Sequence, residues 1–413
     1  MANNGFPEFP CGRVEEAEQS LTRSLREWAE SEVISKRLEL KEDYERLLLP
    51  AMKRLYVDIE MQKLIWPEKY GGAEHNSSDV IFTLLSALEE IGRADTGIGW
   101  VTASTFALCT SFALESTIND KLCQEFGSLS CQAEEPVIGA LVLPLYGLQN
   151  SDPAREYRGR YLQVSAKKEG EQWVLNGEQI RPFNASADAA YLGVLCYLDG
   201  EDEPGLILVP ASSEGIERDK EIPKITGLAA SRNPALKFDR VTVPADNLVF
   251  KGSSAYRRML SWLHAGIGAV TLGSLFASFE IIKEWGDTRV IKGTGNIFKN
   301  NPLTASLMAE ISHEILLSRF LIQRLAQLFA QAGQKEEDGE RLFIGSLSIA
   351  AHVTAAAEKA INNIMELMAS AGYATEWNLE RYWRDVKTMQ VHLGNWELNK
   401  MELAQYFYDS KIL

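Results

Sequence analysis

Five histidines, His75, His264, His313, His352 and His392, and five cysteines, Cys11, Cys109, Cys123, Cys131 and Cys196, are the side chains of this chain best able to hold a metal. No two of them stand at a ligand spacing, there is no CxxC or HExxH, and no metal is expected. A GxGxxG following a strand and a P-loop are also missing; Gly293-Thr294-Gly295 is a two-glycine loop, too short to be a nucleotide fingerprint. The odd number of cysteines and their apolar surroundings read as buried free thiols in a reducing cytoplasm.

A chain of 413 residues, 46% hydrophobic, buries a large core and has the length of two or three structural domains. Its net charge of −15 repels DNA phosphates and anionic lipid, so nucleic acid and membrane surfaces are poor partners and a small molecule or a protein is expected. No run of apolar residues approaches the roughly 18 of a spanning helix, and Met1 to Arg13 lacks the apolar core of a signal peptide. A cytoplasmic protein without membrane insertion follows.

From Val14 to Cys123 apolar residues recur at three- and four-residue spacing, as in Leu21, Leu25 and Trp28, which predicts helices. Trp66-Pro67-Glu68-Lys69-Tyr70-Gly71-Gly72 breaks the pattern as a turn, and Ser78 or Asp79 can cap the next helix. Near Glu135 short β-favouring runs begin: 137–145, 162–166, 173–175, 190–196, 206–209 and 236–243, with Lys168-Glu169-Gly170-Glu171 and Asp199-Gly200 as hairpin turns. This middle segment reads as a small antiparallel barrel or sandwich. Beyond Pro244 helical patterns return over 254–287, 302–331, 340–371 and 378–409, a four-helix bundle. The second carries Leu316, Leu317, Phe320, Leu321, Leu325, Leu328 and Phe329, more apolar surface than one core face needs, which suits burial between subunits or a central place in the bundle. The fold class is α+β multidomain, with an N-terminal α-helical domain (1–134), a middle β-domain (135–250) and a C-terminal four-helix bundle (251–413).

This layout and several strings resemble the acyl-CoA dehydrogenase superfamily over essentially the whole chain. Trp66 to Gly72 resembles its Pro-Glu-x-Tyr-Gly-Gly turn, and Leu88-Glu89-Glu90-Ile91-Gly92-Arg93-Ala94-Asp95 its Glu-Glu-x-Gly-Arg-x-Asp helix end. Trp173-Val174-Leu175-Asn176-Gly177 is similar to the Tyr-x-Leu-Asn-Gly hairpin, and Phe238-Asp239-Arg240-Val241-Thr242-Val243-Pro244 through Asn247-Leu248 to a Phe-Asp-x-Val-x-Val-Pro string. Gly372-Tyr373-Ala374-Thr375-Glu376 and Arg381-Tyr382-Trp383-Arg384-Asp385 complete the likeness.

The resemblance implies a non-covalent FAD, with FMN as the alternative, between the β-domain and the bundle of a dimer or tetramer. It also implies an acyl-CoA or other small-molecule substrate and an electron-transfer flavoprotein or flavin reductase as redox partner. On the matching positions it places Ser151, Phe183, Glu366, Ser370, Asn395 and Glu397 near the cofactor, and Arg289 at the flavin nucleotide of a neighbouring subunit. The guanidinium's fixed fork of donors suits a pyrophosphate.

The sequence departs from the pattern where the chemistry should lie. Dehydrogenation needs a base for the α-proton, and Leu393-Gly394-Asn395 stands at the family's Glu-Gly-Thr, so the base position holds leucine. The alternative position on the first bundle helix falls near Leu263-His264 or Met259-Leu260, without a carboxylate. Only Ser151-Asp152 survives of the Gly-x-Gly-Ser-Asp signature, and Arg181-Pro182-Phe183 replaces Trp-Ile-Thr.

Three functions are consistent with this. The first is α,β-dehydrogenation of an acyl-CoA thioester with a relocated base, for which Glu397, Glu90 and His264 are the candidates. The second is a flavin-dependent monooxygenase, because Arg384-Asp385…His392-x-Gly394-Asn395 resembles the ending of those enzymes; His392, with an imidazole pKa near neutrality, would donate a hydrogen bond and move a proton. The third is a non-catalytic subunit of a heteromeric dehydrogenase.

Overall fold

The computed structural model describes residues 16–36, 44–73, 80–114, 120–146, 156–157, 160–333, 335–391 and 395–408. Helix α1 (Glu16–Trp28) packs on α3 (Val80–Ala94), which is followed by α4 (Thr96–Ala113), and α2 (Tyr44–Lys53) lies beside α1. Leu25 and Trp28, from the stripe seen in the sequence, are buried, and the Trp28 indole donates to the Ala51 carbonyl at 2.9 Å. The Trp66 to Gly72 turn forms with Gly71 at φ +91°, while the proposed caps Ser78 and Asp79 lie outside the described residues. Asp95 caps α4, its Oδ1 accepting the Ile98 N–H at 2.8 Å. All of α4 is buried, the behaviour of a helix that is apolar all round.

The middle segment holds β1 (Ile138–Val142), β2 (Leu145–Tyr146), β3 (Glu156–Tyr157), β4 (Arg160–Tyr161), β5 (Ser165–Glu169), β6 (Gln172–Ile180), β7 (Ala189–Leu198), β8 (Gly205–Pro210), β9 (Ile216–Arg218), β10 (Leu236–Pro244) and β11 (Leu248–Lys251). The main sheet runs β11-β8-β7-β5-β6-β10-β9, with β1 also beside β7. The two expected hairpin turns join β5 to β6 and β7 to β8, with Gly170 and Gly200 at positive φ. The sheet is mixed rather than purely antiparallel: β1 and β5 both pair with β7 in parallel. The cause is connectivity, because β1 arrives directly from the helical segment and residues 181–188 cross over between β6 and β7 instead of turning back. From Gly139 onward β1 alternates, with Leu141 in the core shared with the helices and Ala140 and Val142 in the sheet's own core, while Ile138, before a register shift at Gly139, also joins the helical core.

After Gly252 come α5 (Ser253–Thr288), α6 (Pro302–Gln331), α7 (Glu336–Met368), α8 (Leu379–Val391) and α9 (Asn395–Tyr408). The single pattern over 378–409 is therefore two helices, with α9 starting at Asn395. α5 corrects the expectation that no segment could span a bilayer: an 18-residue window reaches a mean hydropathy of 1.6, and 83% of that window is buried inside the protein. It is the central helix of the fold, and its glycines let other backbones touch it. A Cβ added at Gly273 would overlap the Glu89 carbonyl oxygen, one at Gly92 of α3 the Val270 carbonyl, and one at Gly266 would come within 2.7 Å of Ala103 on α4. On α6, Ile315 and Leu325 are buried whereas Leu303, Leu317 and Phe320 are exposed.

Buried charges join the helices to the sheet. Asp95 accepts a hydrogen bond from Arg381 of α8 through Oδ2, and Arg381 Nε lies 3.8 Å from Asp385. Asp385 in turn accepts the N–H of Leu228 at 2.6 Å, a residue held at φ +55° in the loop before β10. Next to it, Arg384 donates to the Thr226 carbonyl, and the Tyr382 hydroxyl donates to the Arg93 carbonyl at 2.6 Å. Burial raises the Asp385 carboxyl above its ordinary range, with Arg381 opposing and Asp95 adding to the effect. Removing Arg381 takes away the charge that opposes this rise, so the Asp385 carboxyl goes up further. A carboxyl raised on folding favours the folded chain at low pH and loses that advantage as pH climbs. Arg381→Met is expected to cost about 3–5 kcal/mol at pH 8 and clearly less at pH 5, measured as the gap in Tm from wild type at the two pH values.

Candidate functional site

Where β4, the middle strand of a separate three-stranded sheet β2-β4-β3, meets the bundle, three charged or titratable side chains are withdrawn from water. Arg160, on β4, donates through Nη2 to Oε1 of Glu402, on α9, at 3.1 Å, with side-chain exposures of 9% and 3%. His264, on α5 and 3% exposed, lies with its ring 5.8 Å from that of Phe343 on α7. Its Nδ1 is buried and has no hydrogen-bond partner among the described residues. Burial, and then the charge of Arg160, push the imidazole down to about 3, so it stays neutral at physiological pH. The histidine beside this ion pair carries an unused polar atom.

A second wall is built from the middle segment. Gln163 clamps the chain, donating to the carbonyls of Leu143 at 2.7 Å and Arg181 at 3.0 Å and accepting the Arg181 N–H at 2.6 Å. Phe183 N–H donates to the Leu141 carbonyl at 2.7 Å, and the Asn184 amide accepts from Leu141 N–H and donates to the Gly139 carbonyl. With its backbone committed, half-buried Phe183 presents only a ring, which packs on Trp100 of α4 with centroids 4.6 Å apart.

The residues singled out in the sequence fall in several places. Glu90, 7% exposed, faces α1, where its Oε1 accepts from Arg26 Nε at 2.8 Å and burial raises its carboxyl. It serves the α1–α3 contact, whereas His264 packs on α7. Arg289 follows the end of α5, exposed, with its guanidinium 5.7 Å above the Trp285 ring. Glu366 and Ser370 are exposed at the end of α7, around Ala369 at φ +51°, and Glu366 accepts from Asn362 at 3.0 Å. No hydrogen bond or ion pair among the described residues joins Arg289, Glu366 and Ser370. Ser151 and His392 lie outside the described residues, and of Asn395 and Glu397 only the backbone, in the first turn of α9, is described. No group of His, Cys, Asp and Glu among the described residues could hold a metal ion, and Cys109, Cys123, Cys131 and Cys196 are free thiols. Arg160 and Glu402 were not legible in the sequence; they are 242 positions apart, and the sole hint is an acid between Met401 and Leu403.

Two patterns of known proteins match the chain. Residues 15–125 match the acyl-CoA dehydrogenase N-terminal domain and residues 265–396 the acyl-CoA dehydrogenase C-terminal domain, together more than half of the chain. The chain belongs to the acyl-CoA dehydrogenase superfamily. Within that superfamily it is similar to the mitochondrial short-chain specific acyl-CoA dehydrogenase of Mus musculus, with 24% identity over 96% of this chain and 91% of the relative. The butyryl-CoA dehydrogenase of Megasphaera elsdenii has a similar structure, with a TM-score of 0.78 and 19% identity over 94% of this chain and 97% of that one. The dibenzothiophene monooxygenase of Paenibacillus sp. A11-2 superposes with a TM-score of 0.75 and 15% identity over 94% and 97%. At such identities these two likenesses establish the fold alone, and the acyl-CoA dehydrogenase fold is that of this chain.

The buried pair makes its own test possible. Arg160→Met takes from the buried Glu402 carboxylate the guanidinium it meets at 3.1 Å and is expected to destabilise by about 3–5 kcal/mol. Adding Glu402→Leu should recover at least half of that loss in urea unfolding, because an apolar pair replaces an ionic one.

Proposed function

We propose that this protein is an FAD-dependent oxidoreductase that removes hydrogen from Cα and Cβ of an acyl-CoA thioester. The observation that carries the reading is a superfamily fold running through nearly the whole chain, with a buried polar cluster where the sheet meets the bundle. The segments 1–134, 135–250 and 251–413 are its domains in this reading. It works in the cytoplasm as a homo- or hetero-oligomer, dimer or tetramer, and passes electrons to an electron-transfer flavoprotein or a flavin reductase.

The residues present fit FAD. Phe183, backed by Trp100, offers a half-buried aromatic face for a planar ring. Arg289 holds an exposed guanidinium suited to the pyrophosphate of an adjoining subunit's cofactor. Ser370 exposes a hydroxyl at the end of α7, and Asn395 stands at the start of α9. Glu366 is already engaged by Asn362, and a carboxylate opposes phosphate charge, so neither Glu366 nor Glu397 is assigned to the phosphates. FMN would leave Arg289 without a role. When bound, FAD supplies the hydride acceptor.

The proton from Cα needs an acceptor in this chain. Leu393, at the family's base position, has none to offer. Glu90 is held by Arg26 on the opposite side of α3, and His264 would have to become an imidazolium while buried next to Arg160. Glu397, in the first turn of α9, is the base of this reading.

Purified protein is expected to show flavin absorbance and to release stoichiometric FAD. Glu397→Gln should keep that FAD and lower kcat with butyryl-CoA by about 10²–10⁴-fold. Full activity in Glu397→Gln refutes the base assignment, and a colourless protein that refuses added FAD makes it a non-catalytic subunit.

A further inference from the structure

We propose that a cavity among the N-terminal helices binds a free amino acid with an apolar side chain, taken up as the zwitterion. The cavity encloses about 270 Å³ and is lined by Leu21 of α1, by Ile59 and Leu64, and by the turn glycines Gly71 and Gly72. None of the residues assigned above to FAD or to the proton lines it. It is a little smaller than the roughly 300 Å³ at which pockets for drug-sized molecules begin. It equals about nine times one water's share of liquid volume, which suits an occupant the size of leucine or methionine.

Charge decides the class of occupant. Glu60 and Lys63 line the same cavity and pair with each other at 2.6 Å, with side chains 61% and 32% exposed. A pair so open to water contributes little, so a ligand that answers both charges can part it. The anion of a fatty acid would meet Lys63 and be repelled by Glu60, and an alkylamine would meet the reverse. A zwitterion offers an ammonium to Glu60 and a carboxylate to Lys63, while its apolar side chain leaves water among Leu21, Ile59 and Leu64. The backbone points the same way. Glu60 joins the helical segments Arg54–Asp58 and Met61–Lys63 at φ +64°, and its N–H donates to the Val57 carbonyl at 3.3 Å. Glycine would make that left-handed turn at lower cost, so a carboxylate kept there is explained by what it holds. The glycine wall is fixed as well: Gly71 stands at φ +91°, and a Cβ added at Gly72 would overlap the Trp66 carbonyl oxygen. The cavity is therefore formed before its ligand arrives.

Isothermal titration of the purified full-length chain with L-leucine, isocaproate and isoamylamine tests each charge in turn. Leucine is expected to saturate one site, with isocaproate and isoamylamine each weaker by about 10-fold or more. Glu60→Gly keeps the fold, because glycine is relaxed at that φ, and should weaken leucine by about 10-fold without weakening isocaproate. Lys63→Met should weaken leucine by a similar factor and spare isoamylamine. The Tm of each variant without ligand checks folding. Leucine binding that both variants keep overturns the inference, and so does isocaproate binding as tightly as leucine in wild type. The absence of saturable heat with leucine, methionine and phenylalanine alike overturns it too, and every one of these outcomes leaves the acyl-CoA reading standing.

Discussion

The arginine at 381 sits between two buried carboxylates, and much of the architecture depends on its charge. Asp95 is at once the cap of α4 and the partner of Arg381, and Asp385 reaches from α8 to the backbone of Leu228 in the middle segment. One guanidinium thus ties the N-terminal helices, the loop before β10 and the bundle. Its charge opposes the rise that burial imposes on the Asp385 carboxyl. The left-handed backbone of Leu228 is part of the same arrangement, since the conformation aims its N–H at Asp385 and costs about 1–2 kcal/mol for a residue with a Cβ.

The second constraint is proximity. α5 lies against α3 with backbone touching backbone at Gly92 and Gly273, and against α4 where Gly266 meets the Ala103 Cβ. That closeness leaves no room for side-chain adjustment, so His264 is carried on a helix that cannot roll. The same helix passes a hydropathy test for membrane spans while lying mostly inside the protein. Composition reports how much water a helix avoids and not what it is packed against.

What was legible in the sequence follows from this physics. The string Glu89 to Asp95 stood out, and each polar member has a structural partner: Glu89 with Arg319, Glu90 with Arg26, Arg93 with Glu280 and Asp95 with Arg381. Such strings are readable because one short segment meets many others. The same fact misleads about chemistry, as Glu90 shows, a carboxylate on a matching motif that serves packing. Strand pairing direction was not legible, because β1 and β5 differ from antiparallel strands only in how the chain returns to them. Arg160 and Glu402 could not be paired by eye, since each is unremarkable locally and only the fold brings them together.

The complete burial of α4 has a consequence in time. α4 ends at Ala113, and the helix that covers it, α5, begins at Ser253, about 140 residues later. At synthesis rates of about 5–20 residues per second, an apolar helix waits roughly 7–28 s beside the ribosome before its cover is made. During that interval α3, joined to α4 through Asp95, and the arriving strand β1 are its main shelter. The nascent chain therefore has every reason to engage a chaperone at that stage, well before α8 brings the arginine that finishes the fold.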